Sequence, residues 1–162
     1  MIIRLAKQDD LKAIMAIFDY AVDYMATTGN PRQWSKRYPT QELIEEDIRK
    51  QQCYVCCDGD DIHGVFVLSM EKEAEYDALE AGAWLNQAPY GTIHRLAGDG
   101  KVKGISKFAI DFCKQQTQNL RADTHQDNRI MQHLLEKNGF LPCGRLPAIG
   151  GGYRIAYHYV GV

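Results

Sequence analysis

Apolar residues near the middle of the chain repeat with the spacing of one buried helix face. They are Ile105, Phe108, Ala109, Phe112 and Cys113. Residues three or four positions apart lie on the same side of an α-helix, so this spacing predicts an amphipathic helix. Residues 92–97 before it read as a strand, and the connecting residues 98–104 contain three glycines. The segment therefore predicts a strand, a glycine-bearing turn and a helix in succession.

Similar patterns divide the rest of the chain into helices and strands. Further helices are predicted over residues 11–25, 41–51 and 129–138, each preceded by a residue type that caps helices. Strands are predicted over residues 2–5, 53–57, 62–70, 120–124, 141–146 and 153–160. The mixture of hairpins and strand–helix–strand connections predicts a mixed sheet covered by helices. No linker or repeat interrupts the pattern, so residues 1–162 are predicted to form a single domain.

Composition and charge exclude several classes of function. The chain has 162 residues, a formal net charge of -2 and a pI near 6.2, so we expect neither a nucleic-acid nor a membrane partner. The chain does not open with a basic segment followed by a long apolar run, so we expect no signal peptide. The five cysteines lie in apolar runs, which indicates reduced thiols and a cytoplasmic protein. Cys53 and Cys56 lack the second ligand pair of a zinc site, so no metal is predicted.

The glycine turn between the predicted strand and helix offers a site for phosphate. The first N–H groups of a helix have no carbonyl partner within the helix, and they lie at its partly positive end. Lys101 and Lys103 add cationic side chains at the same place. The segment therefore predicts a diphosphate site. A nucleotide is disfavoured because neither glycine pattern of the common nucleotide-binding loops occurs here.

Two motifs and the order of the elements resemble the GNAT family of acetyl-CoA-dependent N-acetyltransferases. The turn motif of that family, Gln/Arg-x-x-Gly-x-Gly/Ala, is similar to residues 101–106, which read Lys-Val-Lys-Gly-Ile-Ser. The second motif is a helix that starts at an asparagine and ends in Gly-Phe; here it runs from Asn128 to Gly139 and Phe140. The resemblance implies an α/β (α+β) fold with a mixed, mostly antiparallel sheet of six to seven strands, flanked by about four helices.

The resemblance also implies a reaction and a cofactor. An acetyl group would pass from acetyl-CoA directly to a primary amine of a small molecule or a protein. The backbone of residues 96–98 would pair with the pantetheine arm, the N–H groups of residues 102–107 would hold the pyrophosphate, and Asn128 would reach the thiol end. The implied cofactor-binding residues are Leu96, Ala97, Gly98, Lys101, Val102, Lys103, Gly104, Ile105, Ser106, Lys107 and Asn128. A homodimer is also compatible with the resemblance.

Acetyl transfer needs a base, because free alkyl amines are mostly protonated at neutral pH. Asp123 lies five residues before Asn128, where some family members carry a carboxylate; its alternative role is that of a strand-end residue that pairs with Arg121 or caps a turn. His94 is a rival base because histidine titrates near neutrality, and its alternative is a strand histidine with a satisfied hydrogen bond. Asp123, His94 and Asn128 are thus the candidate catalytic residues.

The acid and the acceptor site are less defined by the sequence. Leu135 stands where the family usually has a tyrosine that protonates the leaving thiolate. Three tyrosines of the last hairpin are replacements by residue type alone: Tyr153, Tyr157 and Tyr159. The candidate acceptor-binding residues are Trp34, Tyr38, Trp84 and Arg154. Because Leu135 replaces the acid, the alternative function is a non-catalytic acyl-CoA-binding or regulatory module.

Overall fold

The computed structural model describes residues 1–35 and 37–161. This part of the chain contains four α-helices: α1 (Leu11–Thr27), α2 (Gln41–Arg49), α3 (Ile105–Gln116) and α4 (Arg129–Lys137). It also contains seven strands: β1 (Ile2–Leu5), β2 (Cys53–Asp58), β3 (Asp61–Ser69), β4 (Gly91–Gly98), β5 (Asn119–His125), β6 (Leu141–Pro147) and β7 (Tyr153–Val160). Each predicted helix and strand is present. No helix among these residues is long and apolar enough to cross a membrane.

The seven strands form one sheet in the order β1-β2-β3-β4-β5-β7-β6. Only β4 and β5 run parallel, and the other neighbouring strands of this described sheet are antiparallel. Apolar residues of α1 and α2, such as Phe18 and Ile44, pack on one face. Residues of α3 and α4, such as Ile110 and Leu135, pack on the other. The mixed, mostly antiparallel sheet with four helices that the resemblance implied is confirmed.

β4 and β5 are paired only near their first residues. Gly91 and Thr92 lie in register with Leu120 and Arg121, and no further pairing joins these strands in the described chain, although β4 continues to Gly98. The two strands therefore separate towards their C-terminal ends. The edge of β4 that faces this gap presents backbone N–H and C=O groups without a strand partner.

A β-bulge lies in β4 at Arg95. Val65 and Val67 of β3 lie opposite Ala97 and His94, so β4 has one residue more than β3 between these pairs. Arg95 has a φ of +50°. This left-handed conformation costs a residue with a side chain about 1–3 kcal/mol and persists only where the surroundings fix it.

An ion pair with α2 fixes Arg95. Its Nε and Nη2 atoms donate to the two carboxylate oxygens of Asp47 at 3.0 and 3.1 Å, and Asp47 is 2% exposed. Gln52 also donates to Asp47, at 3.0 Å, and Arg95 Nη1 donates to the Tyr38 hydroxyl at 3.3 Å. The pair therefore connects α2, the bulge and the segment before α2.

A buried arginine anchors the irregular segment between β3 and β4. Arg121 is 3% exposed, and its guanidinium lies between the rings of Trp84 and Tyr90, at 4.1 and 3.9 Å from their centroids. Its Nη2 atom donates to the backbone carbonyl of Asn86 at 3.0 Å. A cation between two aromatic faces is attracted by both. Within this segment, Ala74–Ala78 forms a short 3-10 helix.

His158 anchors the same segment as a neutral ring. Its Nδ1 atom accepts a hydrogen bond from the Leu85 N–H at 3.1 Å, and its Nε2 atom lies 3.1 Å from Oδ1 of Asn119. Burial, together with the guanidinium of Arg121, lowers the pKa of His158 to about 4. The fold therefore requires the neutral form with its proton on Nε2.

Replacing Asp47 with alanine should destabilise the fold by about 3–5 kcal/mol, because the largely buried guanidinium of Arg95 would lose its carboxylate partner. Urea unfolding measures this loss. The matched control is Asp19→Ala, at an exposed position of α1, which should change the free energy of unfolding by less than about 0.5 kcal/mol. A loss of under about 1 kcal/mol for Asp47→Ala would contradict the role of the pair.

Stability should fall on acidification through His158. Because its pKa is about 4 in the fold and 6.5 as an isolated side chain, the unfolded chain binds the proton first as pH falls between these values. The folded state then loses roughly 3 kcal/mol. Urea unfolding of the wild type and His158→Gln at pH 7 and pH ~4.5 should show a smaller acid-induced loss in the variant. Equal losses would exclude His158 as the cause.

Candidate active site

The separation of β4 and β5 opens a cavity of about 830 Å³. One wall belongs to the apolar core under α3 and α4: Ile93, Leu96, Ile110, Ala122, Met131 and Leu135. The other wall carries ionisable side chains: Glu73, Glu75, His94, Asp123 and Arg154. Residues 32–35 and 147–150 contribute to the lining at the rim. The cavity therefore joins an apolar region and a polar region at the gap in the sheet.

The polar wall follows from the register of the strands. Thr92 and Arg121 lie side by side in the parallel pair, and such neighbours project from the same face of a sheet. His94 and Asp123 each follow two residues later, so they return to that face on opposite sides of the gap. On β7, Arg154 lies opposite His125, which is two positions beyond Asp123 and projects from the same face.

Both carboxylate oxygens of Asp123 have partners. Tyr76 Oη donates to Oδ2 at 2.6 Å, and Arg154 Nη1 donates to Oδ1 at 2.9 Å. Arg154 also donates to both carboxylate oxygens of Glu75, at 3.1 and 3.2 Å. Burial and the Asp123 carboxylate raise the pKa of Tyr76 well above its ordinary value, so Tyr76 remains a donor. The network holds two carboxylates and one guanidinium.

His94 pairs with Glu73 from the segment before β4. Its Nε2 atom lies 2.8 Å from Oε1 of Glu73, and the two side chains are 19% and 25% exposed. The hydrogen bond with His94 outweighs burial and lowers the pKa of Glu73 below its ordinary value. Glu73 is therefore ionised near neutral pH and accepts the hydrogen bond. A titratable ring with a carboxylate partner thus lines the cavity beside the gap.

Asn128 caps α4, and both polar ends of its side chain have a partner. Oδ1 accepts from the Met131 N–H at 3.0 Å, and Nδ2 donates to Oε1 of Gln33 at 2.9 Å. The same Gln33 oxygen accepts from Asn30 Nδ2 at 2.9 Å and from Thr124 Oγ1 at 3.3 Å. The connection between α1 and α2 is thereby attached to the end of β5. One N–H of Nδ2 is held by Gln33, and the second N–H has no partner among the described residues.

His125 also borders the cavity, but its ring is used by the backbone. It is 1% exposed, its Nε2 atom lies 2.8 Å from the Gly151 carbonyl, and its Nδ1 atom accepts from the Asp127 N–H at 3.0 Å. The ring joins the β5–α4 turn to the β6–β7 turn. With both nitrogens engaged, His125 has no free lone pair for a base.

The turn before α3 directs backbone N–H groups to the start of that helix. Gly104 has a φ of +82° at the cap of α3, and a Cβ placed there would meet no atom within 4 Å. Asp99 folds back over the turn: Oδ1 accepts from the Lys101 N–H at 2.9 Å, and Oδ2 lies 2.7 Å from His63 Nδ1. The first-turn N–H groups of α3 have no helical carbonyl to bind and can receive an anion.

The predicted cofactor residues divide between the cavity and the turn. Leu96 and Asn128 line the cavity, and Ala97 and Gly98 continue β4 beyond it. Residues 101–107 lie outside the cavity lining, in the turn and at the start of α3.

Leu135 is 2% exposed and forms part of the apolar wall. Tyr153, Tyr157 and Tyr159 lie outside the cavity lining. Tyr157 is buried in the core under α3 and α4, and burial raises its pKa to about 12. The tyrosines of the last hairpin therefore do not take the place of the missing acid.

Three of the four predicted acceptor-binding residues line the cavity: Trp34, Tyr38 and Arg154. Trp84 lies outside the lining, because its indole N–H donates to the Tyr76 carbonyl at 2.9 Å and its ring covers Arg121. Trp84 therefore belongs to the anchor around Arg121, and the sequence alone did not show this.

Sequence reasoning missed the partners that organise the polar wall. Glu73 and Glu75 lie in an acidic run that an exposed loop would also contain, and their pairing with His94 and Arg154 depends on how the segment folds back. Gln33 carried no signal at all. The available hint for Glu73 was its place in an acidic run before the strand that carries His94.

Solved structures are similar to this chain over its whole length. A GNAT-family acetyltransferase from Streptococcus agalactiae is 29% identical, with 99% of this chain and 95% of that chain covered and a TM-score of 0.90. A Staphylococcus aureus protein provisionally named as an acetyltransferase is also 29% identical, with 99% of both chains covered and a TM-score of 0.71.

A third structure shares the fold alone. It is a Salmonella typhimurium protein provisionally named as an acetyltransferase and solved with its cofactor acetyl-CoA, 14% identical over 98% of this chain and 92% of that chain, with a TM-score of 0.60. No sequence model of a family matches the chain, and no curated protein matches it.

The architecture and the sequence motifs lead to the same assignment. The sheet, the gap between β4 and β5, the glycine turn before α3 and the asparagine cap of α4 occur in one chain. A GNAT-family structure matches it over 99% of its length at a TM-score of 0.90. This chain has the fold and the sequence motifs of GNAT-family acetyltransferases.

Proposed function

We propose that this protein transfers the acetyl group of acetyl-CoA directly to a primary amine of a small molecule or a protein. The observation that carries the proposal is the gap between β4 and β5, which has an apolar wall on one face of the sheet and an ionisable wall on the other. A thioester entering from the apolar side and an amine entering from the polar side would meet at this gap.

The residues around the gap fit coenzyme A. The pantetheine arm contains amide groups, which suit the free backbone groups of residues 96–98 as an added strand would. The first-turn N–H groups of α3, with the cationic side chains of Lys101 and Lys103, suit a pyrophosphate. The open space beside Gly104 leaves room for phosphate oxygens. Acetyl-CoA bound in this way supplies the thioester.

The chain's own groups then have two tasks. A backbone N–H on the free edge of β4 stabilises the negative charge that develops on the carbonyl oxygen. A base on the polar wall removes a proton from the amine while the nitrogen–carbon bond forms and the carbon–sulfur bond breaks. The thiolate leaves with the bonding electrons and takes its proton from solvent, because Leu135 has none to give.

The alternative function is a non-catalytic module that binds acyl-CoA. The reason to consider it is Leu135, which cannot act as the acid. The ionisable wall favours the enzyme, because a module that only binds the cofactor has no use for the paired groups His94–Glu73 and Asp123–Arg154 at the gap.

Acetyl-CoA should raise the melting temperature of the purified protein by several degrees, because a ligand at about 100 times its Kd adds about 2.7 kcal/mol to folded-state stability. ATP and NAD serve as controls and should not raise it. The absence of a shift with acetyl-CoA would reject cofactor binding, and a shift with ATP or NAD alone would indicate a nucleotide site.

Gly104→Ala should weaken acetyl-CoA binding about tenfold, because its methyl group would occupy the space beside the helix start. The matched control is Gly59→Ala in the β2–β3 hairpin, where φ is +60° and no atom lies within 4 Å of an added Cβ. Both substitutions carry the same left-handed strain. Calorimetric titration should therefore show wild-type affinity for Gly59→Ala, and equal affinities for the two variants would refute the cradle.

Free CoA should be released from acetyl-CoA in the presence of a primary amine, faster than in its absence. A suitable panel contains benzylamine, spermidine and a lysine peptide with a blocked N-terminus, with a thiol reagent as the readout. Release at the background rate with every amine, in a protein that binds acetyl-CoA, would favour the binding module.

A further inference from the structure

The pair formed by His94 and Glu73 is arranged so that one ring nitrogen is held and the other is left unused. Glu73 is ionised near neutral pH and has no proton to give, so the 2.8 Å contact is a hydrogen bond donated by Nε2–H. The proton of the neutral ring therefore resides on Nε2. Nδ1 then carries the lone pair, and no described residue donates to it.

The rival base is occupied. Asp123 accepts from Tyr76 and from Arg154, one on each oxygen, at 2.6 and 2.9 Å. Each oxygen of Asp123 keeps a second lone pair, but the two donors already compete with an amine proton for the carboxylate. Nδ1 of His94 has no donor with which an amine proton would compete.

Glu73 is itself held on both sides of its backbone. Its N–H donates to the Tyr90 hydroxyl at 2.8 Å, and its carbonyl accepts from the Tyr76 N–H at 3.1 Å. The Tyr90 ring lies 3.9 Å from the Arg121 guanidinium. The arginine anchor of the segment thus extends through Tyr90 to Glu73, and from Glu73 to the ring of His94.

We propose that Nδ1 of His94 accepts the proton of the acceptor amine, and that Glu73 is the positioning residue that fixes the ring with Nδ1 unprotonated. Glu73 reaches the reaction only through His94. When the nitrogen–carbon bond forms and the carbon–sulfur bond breaks, the amine proton moves to Nδ1. The resulting imidazolium lies against the Glu73 carboxylate and later returns its proton to solvent.

This inference rests on the proposed acetyl transfer, so its first test requires no turnover. ¹⁵N NMR of the histidine rings near pH 8 should show Nε2 protonated and Nδ1 unprotonated for His94 in the wild type. In Glu73→Ala the preference should be lost, and in Glu73→Gln it should be kept because the amide oxygen still accepts from Nε2–H. The opposite tautomer in the wild type would overturn the inference, whatever the protein catalyses.

The second test uses the amine of the panel that gives the fastest CoA release, at saturating acetyl-CoA. His94→Ala should lower kcat about 100-fold or more, and added imidazole should restore part of the rate. Glu73→Ala should lower kcat by about tenfold, with the KM for acetyl-CoA unchanged, and Glu73→Gln should recover most of the loss. A merely structural role for Glu73 would not lower kcat while leaving the KM for acetyl-CoA unchanged.

The matched control is His133→Ala, which removes an exposed histidine of α4. It should keep the wild-type kcat and show no response to imidazole. Melting curves should show that each variant is folded. A wild-type kcat in His94→Ala would overturn the inference alone. So would a loss of kcat in His94→Ala that imidazole does not restore, if Asp123→Asn shows the same loss. Bound acetyl-CoA with no release from any amine would overturn the proposed function instead.

Discussion

The buried ion pair between Arg95 and Asp47 is the contact on which the site depends. It holds Arg95 at a φ of +50°, a conformation that the residue would not keep without a partner. His94 lies just before this bulge and Leu96 just after it, on walls of different character. The position of the polar wall and that of the free strand edge are therefore both set by one contact with α2.

The second constraint is the way in which the segment before β4 is attached to the sheet. The guanidinium of Arg121 contacts two aromatic rings and donates to one carbonyl, while its buried Nε has no hydrogen-bond partner. No carboxylate among the described residues pairs with it. The acidic residues of the segment are therefore left for other partners. Glu73 and Glu75 instead face the cavity, where they pair with His94 and Arg154.

Local patterns predicted the helices and strands, because helix faces, caps and glycine turns are determined by residues that are close in sequence. The same holds for Asn128, whose capping role follows from its place before the apolar helix face. The bulge at Arg95, the hydrogen bonds of Gln33 and the pairing of Glu73 could not be predicted in this way. Each depends on groups tens of residues apart, such as Asp47 with Arg95, that meet only after the sheet has formed.

The two walls of the cavity are supplied by different layers of the molecule. The apolar wall is part of the core that holds the sheet to α3 and α4, so changes there disturb folding. The rim comes mainly from connections between elements, residues 32–35 and 147–150, and the polar wall combines strand residues with Glu73 and Glu75 from the segment before β4. Such a molecule can acquire a new acceptor specificity by exchanging loops, while the layer that would hold the cofactor stays untouched.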